Sequence, residues 1–152
     1  IPGEEEKMAP GPRKTMGRLG VQGVEPAPFP IHATCTRVPV REGHLESVHL
    51  RFNEAVTMER VREALATFRG PSELNGLRSA PKQPIHLLDG IDRPQPRRDR
   101  DLEGGMAVSV GRLRLSADGR DLRLVALGHN TLRGAAGQSV LNAEYAHAMG
   151  YI

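Results

Sequence analysis

Alternation of apolar and polar positions marks two extended stretches in the first third of the chain. Residues 46–52, ESVHLRF, put Val48, Leu50 and Phe52 on one face. Residues 31–38, IHATCTRV, have the β-branched content of a strand, and Pro39, Glu42 and Gly43 mark a bend between the two, so the pair reads as a hairpin. The periodicity then changes. In VTMERVREALATFRG, Thr57 is placed to cap a helix, Glu59 suits its first turn, Val61, Leu65 and Phe68 form an apolar stripe, and Gly70 ends it. From Pro71 to Gly104 the pattern turns loop-like, with Pro71, Pro81, Pro84, Pro94 and Pro96 and the charged run RPQPRRDRDLE, which reads as a solvated excursion or an interface arm. Alternation returns in GMAVSVGRLRLSADGRDLRLVALGHN as an antiparallel pair turning at Asp118 and Gly119. The closing GAAGQSVLNAEYAHAMG predicts a helix from about Gln138, with small residues at its start and Gly150 ending it.

The first 30 residues are polar and rich in Gly and Pro, with GEEEKM as a short helical turn that Pro10 and Pro12 interrupt. The order β, β, α, long loop, β, β, α describes an α+β domain: a mixed, largely antiparallel sheet with helices packed on one face.

Composition narrows the function classes. With aromatic residues at 3% and no Trp, stacking platforms for single-stranded nucleic acid are hard to build. The net charge is only +3, since 18 acidic residues dilute 21 basic ones, so a nucleic-acid partner is not expected. One cysteine makes no internal disulfide and no zinc site of the common structural types, which fits a reducing, cytoplasmic setting. No apolar run approaches the roughly 18 residues of a membrane span, so no membrane association is expected. The chain opens on Ile1 rather than Met, which suggests a fragment or a processed product.

Several residues carry candidate chemistry. Cys35 lies in an extended segment with no helix start or glycine-rich loop to lower its pKa, and reads as a small buried hydrophobe. Arg37 and His44 flank the bend. They face one pocket, the guanidinium fork for a carboxylate and the imidazole for a proton, or they are a surface Arg and a turn His. Glu4 and Lys7, three apart, meet on one face of a helical turn, where an exposed ion pair is the usual outcome. Asn130 closes a strand just before the last helix, where it meets a ligand or caps that helix. No H-E-x-x-H spacing, phosphate loop or G-x-G-x-x-G fingerprint is present, and no metal site is expected.

The segments GEEEKM, ATCTRVPVREGHLESV, PKQPI, RPQPRRDRD, GGMAVSVGRLR and LGHNTLRGAAGQSVLNAE, in this order, resemble the C-terminal portion of the aspartate-semialdehyde dehydrogenase family in its archaeal and fungal-type branch. The resemblance implies a C-terminal domain like that of glyceraldehyde-3-phosphate dehydrogenase. It also implies a semialdehyde dehydrogenase dimerisation and substrate domain over 1–133, and a helix over 134–152 that packs on an N-terminal NADP-binding domain outside these residues. The family interconverts aspartyl phosphate and aspartate semialdehyde with NADPH and phosphate, as a homodimer or higher. Its nucleophilic cysteine sits in an Asn-Cys motif of the N-terminal domain, so Cys35 is not that group. In the R-x-P-x-x-x-G-H pattern, Arg37 takes the substrate-carboxylate position and His44 that of the general acid/base. In E-E-x-K, Glu4 falls where the substrate amino group is bound and Lys7 where phosphate is held. Asn130 matches the amide residue beside the nicotinamide end of NADP. Malonyl-CoA reductase resembles the same branch, and a stand-alone dimerisation module is the non-enzymatic alternative.

Overall fold

The computed structural model describes residues 3–152; Ile1 and Pro2, at the head of the expected first domain, lie outside the described residues. The chain divides into two compact units with the boundary between Pro39 and Val40.

In the first unit, α1 (Glu4–Met8) starts after Gly3, whose φ of 77° suits glycine, and sets Glu4, Glu5 and Glu6 in its first turn, where the helix dipole favours acidic groups. Proline then begins a second helix instead of only ending the first. Pro10 occupies the start of α2 (Pro10–Thr15), where its missing N–H costs no helical bond. A small hairpin unmarked by alternation follows, β1 (Arg18–Gly20) with β2 (Gly23–Glu25), joined through Val21 and Gln22. Residues 31–38 form no strand. Their bonds go to side chains of α1: the Cys35 N–H donates to Glu5 Oε1 at 2.7 Å, and Arg37 Nη2 donates to Glu4 Oε2 at 2.8 Å. Alternation detects extended backbone, but only a partner strand makes it a sheet, so the hairpin expected around Pro39 and Gly43 is replaced by a different pairing.

That pairing is long-range. In the second unit β3 (His44–Arg51) runs antiparallel to β6 (Asp121–Gly128), β6 antiparallel to β5 (Val108–Leu115), and β5 parallel to β4 (Ile85–Leu88), in the order β3-β6-β5-β4. The expected mixed, largely antiparallel sheet is therefore present. Asp118 and Gly119, the latter at φ 70°, turn β5 into β6 as their sequence implies.

Helix α3 (Met58–Thr67) begins at Thr57, whose hydroxyl accepts the Arg60 N–H, and packs Val61 and Leu65 on one face of the sheet against Val48, Val110, Leu122 and Leu124. Phe68 does not extend the stripe. Its extended backbone ends the helix, and the ring is half exposed.

The region 71–104 is less solvated than its charge suggests. Two parallel neighbours require a long crossover, and residues 89–107 supply it between β4 and β5. The crossover holds α4 (Pro96–Asp99) and a 3₁₀ turn, Leu102–Gly105. Asp99 is 1% exposed, bridged by Arg93 and by the Gln95 N–H at 2.7 Å. Its carbonyl accepts the Ser109 hydroxyl, on the sheet face opposite α3. A buried carboxylate with a guanidinium and a backbone donor is satisfied, which ties the crossover to the sheet. The last helix, α5 (Ala136–Ala148), starts two residues before Gln138. A Cβ at Gly137 would stand 2.5 Å from Met106 Sδ, so the small residue there permits the close approach expected of it.

Candidate active site

His44 opens β3 opposite Gly128, the last residue of β6, and its side chain is exposed. The residue before it is strongly constrained. Gly43 is buried at φ 121°, and a Cβ there would lie 3.0 Å from both Leu127 Cδ1 and Pro96 Cβ. Only glycine fits that corner without displacing neighbours. Its N–H donates to Asn130 Oδ1 at 2.6 Å, so two residues separated by most of the domain meet at the sheet end.

Asn130 does not cap α5. The N-cap position belongs to Ala135 and carries no side-chain bond. The turn from 129 to 134 is held instead by His129, a buried residue the sequence pattern does not single out beyond its place next to Asn130. Its Nδ1 accepts the N–H groups of Thr131 and Leu132 at 3.3 Å, and its carbonyl accepts the Gly134 N–H at 2.9 Å. An accepting Nδ1 leaves the ring proton on Nε2, which lies 3.7 Å from Asp101 Oδ1. Arg133, in the same turn, is half-buried, and desolvation lowers its pKa.

The first unit holds the other predicted residues. Arg37 and Glu4, 33 positions apart in sequence, form an ion pair at 2.8 Å. The hydrogen bond from Arg37 keeps the Glu4 carboxyl below its usual 4.5. Lys7 lies on α1 one helical turn from Glu4 and is exposed. Glu4, Lys7 and Arg37 thus belong to the first unit, His44 and Asn130 to the second. Cys35 is half-buried, less enclosed than the buried hydrophobe expected of it, and forms no disulfide. An open groove lined by Pro10, Arg13, Lys14, Val24 and Pro26 contains none of the predicted site residues. Among the described residues no group of three or more His, Cys, Asp or Glu side chains is arranged to hold a metal ion, and no helix is long and apolar enough to cross a membrane.

The second unit is an α+β domain with an exposed histidine at a sheet end, and the first unit holds a paired Arg and Glu. The chain belongs to the semialdehyde dehydrogenase dimerisation domain family, whose model matches residues 1–133. It is 50% identical over 145 residues to the aspartate-semialdehyde dehydrogenase of Methanothermobacter thermautotrophicus, covering 95% of this chain and 42% of that protein. To the Trichophyton rubrum aspartate-semialdehyde dehydrogenase it is 45% identical over 158 residues, covering 100% of this chain and 44% of the relative. The crystal structure of the Candida albicans aspartate-semialdehyde dehydrogenase with NADP superposes with a TM-score of 0.87 at 42% identity, over 100% of this chain and 44% of that one. The chain spans less than half the length of these relatives.

Proposed function

We propose that this chain is the substrate-binding and dimerising part of an NADP-dependent aspartate-semialdehyde dehydrogenase, which interconverts L-aspartyl 4-phosphate and L-aspartate 4-semialdehyde with NADPH and phosphate. The observation that carries the reading is the Arg37–Glu4 pair. An α-amino acid presents a carboxylate and an ammonium side by side, and a guanidinium beside a carboxylate is its charge complement. Malonyl-CoA has no ammonium, so Glu4 favours the aspartyl substrate over that alternative. Lys7, a compact ammonium on the same helix, is suited to the phosphate.

His44 supplies and removes the proton exchanged at the thiol and carbonyl oxygen, the thiol coming from the domain that precedes this portion in the family. Its exposed position at the sheet end leaves the imidazole open to substrate. NADP, when bound, takes or gives the hydride. The residues here fit that cofactor at one point: Asn130 engages its oxygen with Gly43, and its amide N–H groups stay available for the nicotinamide carboxamide. The segment 134–152 packs on the cofactor domain, a role supported by the exposed Val140, Met149, Tyr151 and Ile152. Homodimer formation is supported by the family description.

The test is NADP reduction by the complete gene product with aspartate semialdehyde, with and without phosphate, beside the 152-residue stretch. Phosphate-dependent turnover is expected from the complete protein alone. A complete protein that is silent with aspartate semialdehyde but turns over with malonyl-CoA and NADPH overturns the reading.

A further inference from the structure

We propose that the side-chain oxygen of Asn130 aims His44, making Asn130 a positioning residue for proton transfer as well as a cofactor contact. The proposal rests on the reading of His44 as the acid/base group. A strand's first side chain points where the preceding backbone sends it. At that preceding residue, Gly43, the φ of 121° is open to many alternatives, because glycine populates both halves of φ space. Something must select one. Leu127 and Pro96 leave no room for a side chain there, at 3.0 Å from a would-be Cβ, and the Gly43 N–H is fixed by Asn130 Oδ1 at 2.6 Å. A backbone N–H requires an acceptor, so the oxygen of the amide, not its nitrogen, faces Gly43.

The register shows what this bond replaces. His44 pairs with Gly128, the end of the ladder, and Asn130 lies two residues beyond on the same chain. Its side chain therefore continues the β3–β6 pairing one residue past the last strand pair. The turn carrying Asn130 is itself held. His129 is buried beneath it, accepting the Thr131 and Leu132 N–H groups, and a Cβ at Gly134 would stand 2.4 Å from the Asn130 carbonyl oxygen. One amide thus has two ends with different tasks. The oxygen holds the backbone before His44, and the nitrogen is left for a ligand.

Two substitutions separate these tasks in the complete protein. N130D keeps an acceptor for Gly43 and loses the donor; N130A loses both. For N130A we expect kcat to fall about 10- to 100-fold, the scale of a catalytic group displaced by roughly an ångström. N130D should raise the KM for NADP and lower kcat less than N130A does. The second readout is the His44 ring resonance followed by NMR in histidine-labelled protein at the acid and alkaline limits. It should move in N130A and stay near wild type in N130D. An unmoved His44 resonance in N130A, or equal loss of kcat in both variants, overturns the proposal. Because the resonance needs no turnover, it decides the positioning role even if the protein proves inactive as a dehydrogenase, the outcome that would instead sink the proposed function.

Discussion

The two groups of candidate site residues are built by opposite means. In the first unit, Arg37 and Glu4 stand 59% and 36% exposed, on an extended segment and a five-residue helix, and hold each other by one ion pair. In the second, His44 follows a buried glycine, on a strand with eight paired positions, and the turn facing it is anchored by a buried histidine. A pair that must exchange its partner for a substrate gains from staying hydrated and adjustable, since a buried pair would have to be broken at high cost. A group that passes a proton needs fixed geometry. Under the proposed function, the contrast assigns binding to the adaptable part and proton transfer to the sheet.

The largest effect should come from the rigid part. His44→Ala removes the imidazole proposed to transfer the proton and should lower kcat of the complete enzyme about 10²- to 10⁴-fold. Its thermal stability should hardly change, because the side chain is exposed. Steady-state kinetics with aspartate semialdehyde, phosphate and NADP checks this, and unchanged turnover would exclude His44 as the acid/base.

The same contrast governs how much could be read from sequence. The string from Arg37 to His44 is compact and specific, and Gly43 within it has a physical reason to be glycine that no pattern reveals: the crowding by Leu127 and Pro96. The strands at 44–51 and 108–128 and helix α3 follow their periodicities because each buries one face on the core. β4 is not legible in the sequence, since Ile85–Leu88 is four residues without alternation, and the parallel pairing that makes it a strand is set by a crossover that periodicity cannot see. Asp99 looks like one charge in a solvated run, and only its Arg93 and Gln95 partners make burial tolerable. Glu4 and Arg37 are joined by no local signal at all. Their proposed roles come from the family resemblance alone, and the ion pair is the physical observation that supports them.

Arg37→Lys tests the adaptable part next. An ammonium keeps the charge but loses the planar fork, so KM for aspartate semialdehyde should rise about tenfold or more while kcat changes less. Wild-type kinetics in that variant would put the substrate carboxylate elsewhere.

The smallest expected effect is the most discriminating. Glu4→Gln keeps the shape and removes the charge, and should raise KM about two- to fivefold, the scale of an exposed ion pair. The rise should appear with a substrate that carries an α-ammonium and be absent with a semialdehyde that carries none. Acidification should mimic it with a defined sign. The hydrogen bond from Arg37 holds the Glu4 pKa below 4.5, so the charge survives as pH falls past the usual glutamate value and is lost only as pH falls through the lowered one. Substrate affinity of the wild-type enzyme should therefore show no Glu4-dependent loss near pH 4.5. If binding instead weakens through that pH, and E4Q abolishes the change, the pair does not persist in solution and the adaptable part of the site is looser than its geometry.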